Sequence, residues 1–151
     1  MAAEYLSNEQ QAVSLNAPIV FSNSIPCNRG FVYHEDGTGI FILKGIVNCP
    51  CEQFATYQIV FNGNIALPTG ATTVVPIAIA ISTNGEERPT SRAVFTPLAQ
   101  DEFGNVTSTA IIQVPRSCCF NVSIDVVAPN ATDTPATSIL VENANLVINR
   151  L

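Results

Sequence analysis

Charged side chains are scarce in this chain, and cations are the scarcer kind. Only 12% of the 151 residues are charged, with 6 lysines and arginines against 12 acidic residues, and the net charge is −6. Lys44 is the only lysine and the arginines are scattered, so no basic stripe exists that could neutralise the phosphates of a nucleic acid. With 47% apolar residues, the composition is more typical of an assembly that hides part of its surface than of a dispersed monomer. We expect an oligomer and no nucleic-acid partner.

Long apolar runs and helical patterns are also missing. The longest apolar stretch, residues 74–81, is far too short to span a bilayer. The N-terminal sequence MAAEYLSNEQQ lacks both the cationic start and the apolar run of a signal peptide. The best candidate for a helical period, residues 7–13, is short. We therefore expect synthesis in the cytosol, no membrane partner and a fold without substantial helices.

Residues that could support catalysis are few. His34 is the only histidine and is followed by Glu35 and Asp36; these could form a general acid/base pair or a cation site. A single histidine at the tip of a short hairpin is more typical of a solvated turn, and the third group that a nucleophile arrangement needs is not supplied by the spacing. Residues 37–39 (Gly-Thr-Gly) are predicted as a hairpin turn without the helix that follows a phosphate-binding loop. We expect no enzymatic activity, no catalytic residue and no cofactor.

The cysteines leave two interpretations open. There are five of them, namely Cys27, Cys49, Cys51, Cys118 and Cys119. Their Cys-x-Cys and Cys-Cys spacings differ from those of structural zinc sites, so we predict no metal site. Disulfides within or between subunits are expected if the mature protein lies outside the cell; otherwise the cysteines are expected to be buried and reduced. The odd count leaves at least one thiol without an intrachain partner, which would suit a bond between chains of an assembly.

Short strands rich in isoleucine and valine are what the chain has in abundance. Residues 107–127 are predicted to form a hairpin about a turn at residues 115–117, with the first arm apolar enough to be covered on both faces. Residues 54–62 alternate, with Tyr57, Ile59 and Phe61 on one side, and Asn62-Gly63 signals a hairpin. Roughly ten short strands, with turns about every 8–12 residues, predict an all-β jelly-roll β-sandwich of antiparallel strands.

The strand predicted over residues 72–82 is apolar on both faces, and we interpret it as a subunit contact. Its isoleucines fall on one face and its alanines on the other. One face must meet the core, and the small alanines suit a neighbouring subunit. The predicted contact residues are Ile77, Ala78, Ile79, Ala80 and Ile81.

The first residues are predicted to be separate from the domain. Residues 1–11 are polar except for a few apolar points such as Tyr5 and Leu6. We expect them to form an N-terminal arm that lies on a neighbouring molecule, followed by one jelly-roll domain over residues 12–151.

The order of these pieces resembles a known superfamily. The segments that carry the resemblance are AVSLNAPIVFS, GTGIFILKG, FATYQIVFNGN, TSTAIIQVPRSCCFNVSI and NANLVINRL. They are similar to the trimeric jelly rolls of the tumour-necrosis-factor and complement-q superfamily, above all to its bacterial and bacteriophage branch, which includes the C-terminal domain of the collagen-like exosporium glycoprotein. The superfamily's usual Gly-Asp turn before the last strand is replaced here by residues 115–118 (Pro-Arg-Ser-Cys). The resemblance covers almost the whole chain and implies a TNF-like fold, a homotrimer and a structural or binding role.

A functional expectation follows from this resemblance. No Gly-X-Y repeat precedes the domain, and a stalkless chain of this type resembles small decoration proteins of bacteriophage particles. We expect a structural virion protein, assembled in the host cytoplasm, whose trimer stabilises the capsid surface by gripping the major capsid protein with residues 1–11. One alternative is a spore-coat or exosporium protein at the spore surface. Another is the receptor-binding tip of a phage fibre, which would present residues 35–38 and 129–135 to a host ligand.

Overall fold

The computed structural model describes residues 1–25, 30–71 and 73–151, and almost all of its regular structure is β-strand. The strands are β1 (Ala2–Ser7), β2 (Gln11–Ser14), β3 (Asn23–Ile25), β4 (Val32–His34), β5 (Phe41–Lys44), β6 (Phe54–Ala66), β7 (Ile77–Thr83), β8 (Glu86–Glu87), β9 (Ala93–Phe95), β10 (Gly104–Pro115), β11 (Cys119–Val127) and β12 (Ser138–Arg150). A single 3-10 turn, Pro89–Ser91, lies between β8 and β9. Within these ranges no helix is long and apolar enough to cross a membrane.

The strands form two antiparallel sheets that pack face to face. The first sheet has the order β10-β6-β12-β1-β3, and β2 also pairs with β12. The second has the order β4-β5-β11-β7-β8, and β9 also pairs with β7. The predicted all-β jelly-roll sandwich is confirmed, with twelve strands in the described ranges because short strands such as β3, β8 and β9 add to those visible in the sequence.

The alternation predicted for β6 is confirmed. Tyr57, Ile59 and Phe61 have no exposed surface and point into the space between the sheets. The predicted hairpin at Asn62-Gly63 is wrong, because β6 continues through these residues to Ala66. A Cβ on Gly63 would lie 2.8 Å from Cζ of Phe61, so the glycine makes room for a core ring instead of a turn.

The predicted hairpin over residues 107–127 is also wrong in its pairing. The turn lies where it was expected, at Arg116 and Ser117, but the arms belong to different sheets. β10 pairs with β6 in the first sheet, whereas β11 pairs with β5 and β7 in the second. Each arm has one apolar face to bury. Two strands in opposite sheets bury these faces against each other across the core, so the arms do not have to pair side by side. The first arm is not covered on both faces, since Ile111 is 48% exposed.

Residues 1–11 are part of the jelly roll and not a separate arm. β1 is hydrogen-bonded between β12 and β3, and β2 begins at Gln11. Tyr5 is 3% exposed, with its ring centroid 4.6 Å from that of Phe41. The period-two burial along β1, in which Ala3, Tyr5 and Ser7 point inward, was hidden by the polar residues around it. The division into residues 1–11 and 12–151 is therefore corrected to one continuous domain.

The predicted subunit contact on β7 is corrected as well. All five predicted side chains are at most 2% exposed in the single chain, namely Ile77, Ala78, Ile79, Ala80 and Ile81. Ala78 and Ala80 form a small buried cluster with Val127, so the alanine face is closed by the chain itself. The total accessible surface is 7599 Å², close to the roughly 7,400 Å² expected for a compact chain of 16.1 kDa. A subunit contact therefore has to use other residues.

Candidate functional site

The outer face of the first sheet, turned away from the core, is a broad surface of amide, hydroxyl and aliphatic side chains. Four neighbouring strands contribute to it, in the order β10, β6, β12 and β1. We call it the amide face. Its defining side chains, none of them buried, are Leu6, Val60, Asn62, Asn64, Asn105, Thr107, Ile111, Asn145, Val147 and Asn149.

Hydrogen bonds between neighbouring strands hold the amides of this face in place. The Asn105 amide nitrogen donates to Oδ1 of Asn62 at 2.8 Å and to Oδ1 of Asn64 at 3.1 Å. The Thr107 hydroxyl donates to the same Asn62 oxygen at 3.3 Å. These side chains are therefore held by a neighbour on the adjacent strand, so this part of the surface is already ordered.

Charge is almost absent from the amide face. Among its described side chains the charged ones are Glu4 and Glu142, and Oε1 of Glu4 accepts a hydrogen bond of 2.6 Å from the Asn145 amide. Arg150, at the end of β12, turns inward, and its guanidinium carbon lies 5.7 Å from the centroid of the Tyr57 ring. A partner that covered this face would remove few charged groups from water. The desolvation of charged groups is the main cost of burying a polar surface.

The sequence located only part of this face. Leu6 was predicted to contact a neighbour and does lie, half-buried, on the amide face. Tyr5 is on the opposite side of β1, in the core. Ile111 was missed because it lies within an apolar run. Its alternation with Thr107, Thr109 and Gln113, all exposed, is the signal that could have found it.

The His34 side chain is buried, so its prediction as part of a solvated turn is wrong. It is 1% exposed and stacks on Phe41 with ring centroids 4.2 Å apart. Nε2 lies 2.9 Å from the Thr38 carbonyl oxygen, and since a carbonyl only accepts, Nε2 carries the proton. Nδ1 lies 3.8 Å from Oδ1 of Asp36. This ring supports a turn from inside and is closed to a substrate.

Four cysteines lie in the described residues and all four are free thiols. Cys49 is half-buried, whereas Cys51, Cys118 and Cys119 are exposed. The expectation that reduced cysteines would be buried is therefore wrong for these four. Cys27 lies outside the described residues. In the described part of the chain, no three cysteine, histidine or acidic side chains are placed to share a metal ion.

Of the two loops predicted to meet a host ligand, residues 129–135 lie beside a groove that the last three residues of the loop help to line. The groove has a volume of about 810 Å³, and Leu67 and Val75 on one wall face Asp133, Thr134 and Pro135 on the other. The loop is stiffened by Asn130, whose side-chain oxygen accepts hydrogen bonds from the backbone N–H groups of the second and third residues after it, at 3.0 and 2.8 Å. Such a local bond pattern is an Asx-type turn.

Comparison with known proteins shows the fold. No family model and no curated protein matches the chain. The globular domain of a zebrafish complement 1qA protein has a TM-score of 0.60 at 14% identity, covering 99% of this chain and 98% of that one. Eiger TNF from S. frugiperda has a TM-score of 0.64 at 11% identity, covering 100% of this chain and 92% of that one. Murine APRIL has a TM-score of 0.62 at 9% identity, covering 99% and 98%. The chain thus has a TNF/C1q-like jelly roll.

Proposed function

We propose that the chain is a non-enzymatic structural protein that forms a homotrimer through its amide face, and that the trimer decorates and stabilises the capsid of a bacteriophage. The observation that carries the self-association is the amide face itself. It is ordered by cross-strand hydrogen bonds and nearly free of charge on a chain whose net charge is −6. Such a surface can be buried against another copy without isolating charged groups from water.

The size of the amide face supports the same proposal. At about 3.3 Å per residue and 4.8 Å between strands, the 13 residues of β6, 13 of β12, 12 of β10 and 6 of β1 cover roughly 700 Å². This is about the area that each partner contributes to a stable protein interface. The exposed Ile111 and the half-buried Val60 and Val147 supply apolar area within it. The choice of a trimer rests on the resemblance of the sequence to the trimeric TNF and complement-q superfamily.

The self-association is tested by placing a cation in the amide face. Val60 is half-buried near its centre, opposite Val147 on β12. Val60→Lys would bring like charges together in the assembly and would desolvate each of them, so we expect dissociation to monomers at micromolar concentration. The matched control is Val94→Lys on β9 of the second sheet, where the valine is 51% exposed, and we expect it to remain a trimer. Sedimentation velocity measures both, with circular dichroism to confirm that each variant is folded.

Two outcomes would contradict the assembly proposal. A wild-type chain that sediments as a monomer at micromolar concentration would exclude a stable trimer. A trimer that survives Val60→Lys but dissociates on Val94→Lys would place the contact on the second sheet.

The capsid role is tested on particles. We expect purified virions from the phage that encodes the chain to carry it on their surface, and particles from a gene deletion to release DNA at a lower temperature. Contact of residues 1–11 with the capsid cannot be tested by deleting them, because the deletion would remove β1 from between β12 and β3. Absence of the protein from purified wild-type virions would refute the capsid proposal. Its presence in purified spore coats would support the alternative of a spore-coat or exosporium protein.

The groove beside residues 129–135 favours a second candidate, the receptor-binding tip of a phage fibre. Its volume of about 810 Å³ is that of a small-ligand site. Thr134→Arg would fill the groove, and Thr90→Arg, on the exposed 3-10 turn, is the matched control. Binding of the wild-type chain on an array of bacterial surface glycans, lost only in Thr134→Arg, would support the tip. No binding to the array would leave the capsid proposal ahead.

A further inference from the structure

Two of the free thiols lie in one rigid turn. The backbone N–H of Glu52 donates to the carbonyl oxygen of Cys49 at 3.1 Å, so residues 49–52 form a β-turn with Pro50 and Cys51 at its centre. Proline fixes its own φ and stiffens the turn. The Cys49 and Cys51 side chains are close enough to shift each other's pKa in opposite directions. Their sulfur atoms are therefore neighbours before any reaction takes place.

The turn is also fixed from outside by Arg116, in the turn between β10 and β11. The Arg116 guanidinium donates to the carbonyl oxygen of Pro50. The Arg116 backbone N–H donates to the carbonyl oxygen of Gln53 at 2.9 Å. A pair of thiols held in this way loses little further freedom when its sulfur atoms are joined.

The spacing of the two cysteines is compatible with a disulfide. Disulfides join Cα atoms about 4.4–6.8 Å apart, and residues two apart in a bent chain, with about 3.8 Å between consecutive Cα atoms, fall within this range. Cys118 and Cys119 contrast with this pair. Adjacent side chains at the start of an extended strand point to opposite sides, so these two are poorly placed to bond to each other.

We propose that Cys49 and Cys51 are a redox-active pair that closes to a disulfide by exchange with a low-molecular-weight disulfide of the glutathione class. The Cys49 sulfur attacks one sulfur of the disulfide, forms a mixed disulfide and releases one thiolate. Cys51 then loses its proton and attacks the Cys49 sulfur, which forms the Cys49–Cys51 bond and releases the second thiolate. The protein loses two hydrogen atoms, and one small disulfide is reduced to two thiols.

The electrostatics of the pair agree with this order of attack. Hydrogen bonds from the Cys51 side chain and then from the Cys51 backbone lower the pKa of the Cys49 thiol. The hydrogen bond with Cys49 raises the pKa of Cys51. Because the thiolate is the nucleophile, the thiol with the lowered pKa reacts first. The pair would stay open in a reducing cytosol and close outside the cell.

The test uses oxidised glutathione and mass spectrometry on the full chain, with Cys27→Ser present in every variant so that this residue cannot take part. The variant that also carries Cys118→Ser and Cys119→Ser keeps only the proposed pair. We expect it to lose two hydrogen atoms and to retain no glutathione. In its matched control, Cys49→Ser with Cys51→Ser, we expect the remaining Cys118 and Cys119 to retain glutathione as mixed disulfides.

Single substitutions in the variant that keeps only the pair identify the attacking atom. Cys51→Ser should trap glutathione on Cys49. Cys49→Ser should react more slowly at neutral pH, because this variant lacks the thiol whose pKa is lowered not only by the Cys51 side chain but also by the backbone hydrogen bonds of Cys51 and Glu52. Retention of glutathione by both cysteines of the pair, or ring closure by Cys118 and Cys119 at the same rate, would overturn the proposal. Equal rates for the two single variants would overturn the assignment of Cys49 as the attacking residue.

Discussion

Replacement of Tyr5 by alanine should destabilise the fold severely, although residue 5 lies near the end of the chain. The side chain is 3% exposed, and its ring centroid lies 4.6 Å from that of Phe41 and 4.9 Å from that of His34. Burying roughly 150 Å² of an aromatic side chain at about 25 cal/mol per Å² is worth about 4 kcal/mol. Buried aromatic-to-alanine substitutions cost about 3–5 kcal/mol, a large part of the roughly 5–15 kcal/mol that stabilises a typical domain.

The neighbouring residue provides the matched control. Leu6 is half-buried on the other side of β1, and we expect Leu6→Ala to lower the free energy of unfolding by about 1 kcal/mol or less. The chain has no tryptophan, so urea unfolding is followed by far-ultraviolet circular dichroism at one protein concentration. If Tyr5→Ala does not fold, Tyr5→Leu is measured instead. We expect it to lower the free energy of unfolding by roughly half of the loss expected for alanine. A Tyr5→Ala variant within about 0.5 kcal/mol of wild type would show that residues 1–11 are an arm after all.

Two further substitutions test the packing between β5 and the strands around it. Gly45→Ala would place a Cβ 2.0 Å from the carbonyl oxygen of Pro115, the last residue of β10, and should cost about 3 kcal/mol in urea unfolding. Gly70→Ala, with no heavy atom within 4 Å, should be nearly neutral, and equal effects would contradict the close approach. Tyr57→Phe removes a hydroxyl that donates to the Lys44 carbonyl oxygen at 2.6 Å. It should lower the free energy of unfolding by about 1–2 kcal/mol, which is measured as a lower midpoint of thermal unfolding. Tyr33→Phe, at a side chain that is 54% exposed, should leave that midpoint unchanged, and an equal loss in both variants would refute the assignment.

Period-two alternation was the most reliable signal in the sequence because it is a local property of an extended chain. Tyr57, Ile59 and Phe61 were placed on the inner side of β6 from spacing alone, and all three are fully buried. The same argument failed for β1, whose inward set of Ala3, Tyr5 and Ser7 includes only one large apolar residue. A strand in which small or polar residues occupy inward positions shows little contrast between its two faces.

Turn chemistry failed where tertiary contacts decide the conformation. Asn62-Gly63 is a strong hairpin signal in isolation, but β6 is paired along both edges, with β10 and with β12. A turn at Gly63 would break both ladders and remove the space that the Phe61 ring occupies. The strand partners of β10 and β11 were missed for a similar reason, because a tight turn between two strands does not reveal whether they pair or cross from one sheet to the other.

A strand that is apolar on both faces is expected to be buried. Its sequence does not reveal whether its own domain or a neighbouring subunit covers it. β7 lies between β11 on one side and β8 with β9 on the other, and its alanine face is closed within the chain, so its composition reflects a central position in its own sheet. Ile111 is different, because it is 48% exposed on a strand whose other outward residues are threonine, asparagine and glutamine. Lysine or glutamate would serve solubility better at such outward positions, and their absence along β10 needs a cause other than the core. The proposed subunit contact therefore rests on an outward row of uncharged residues that includes one large aliphatic side chain, and not on a strand without polar residues.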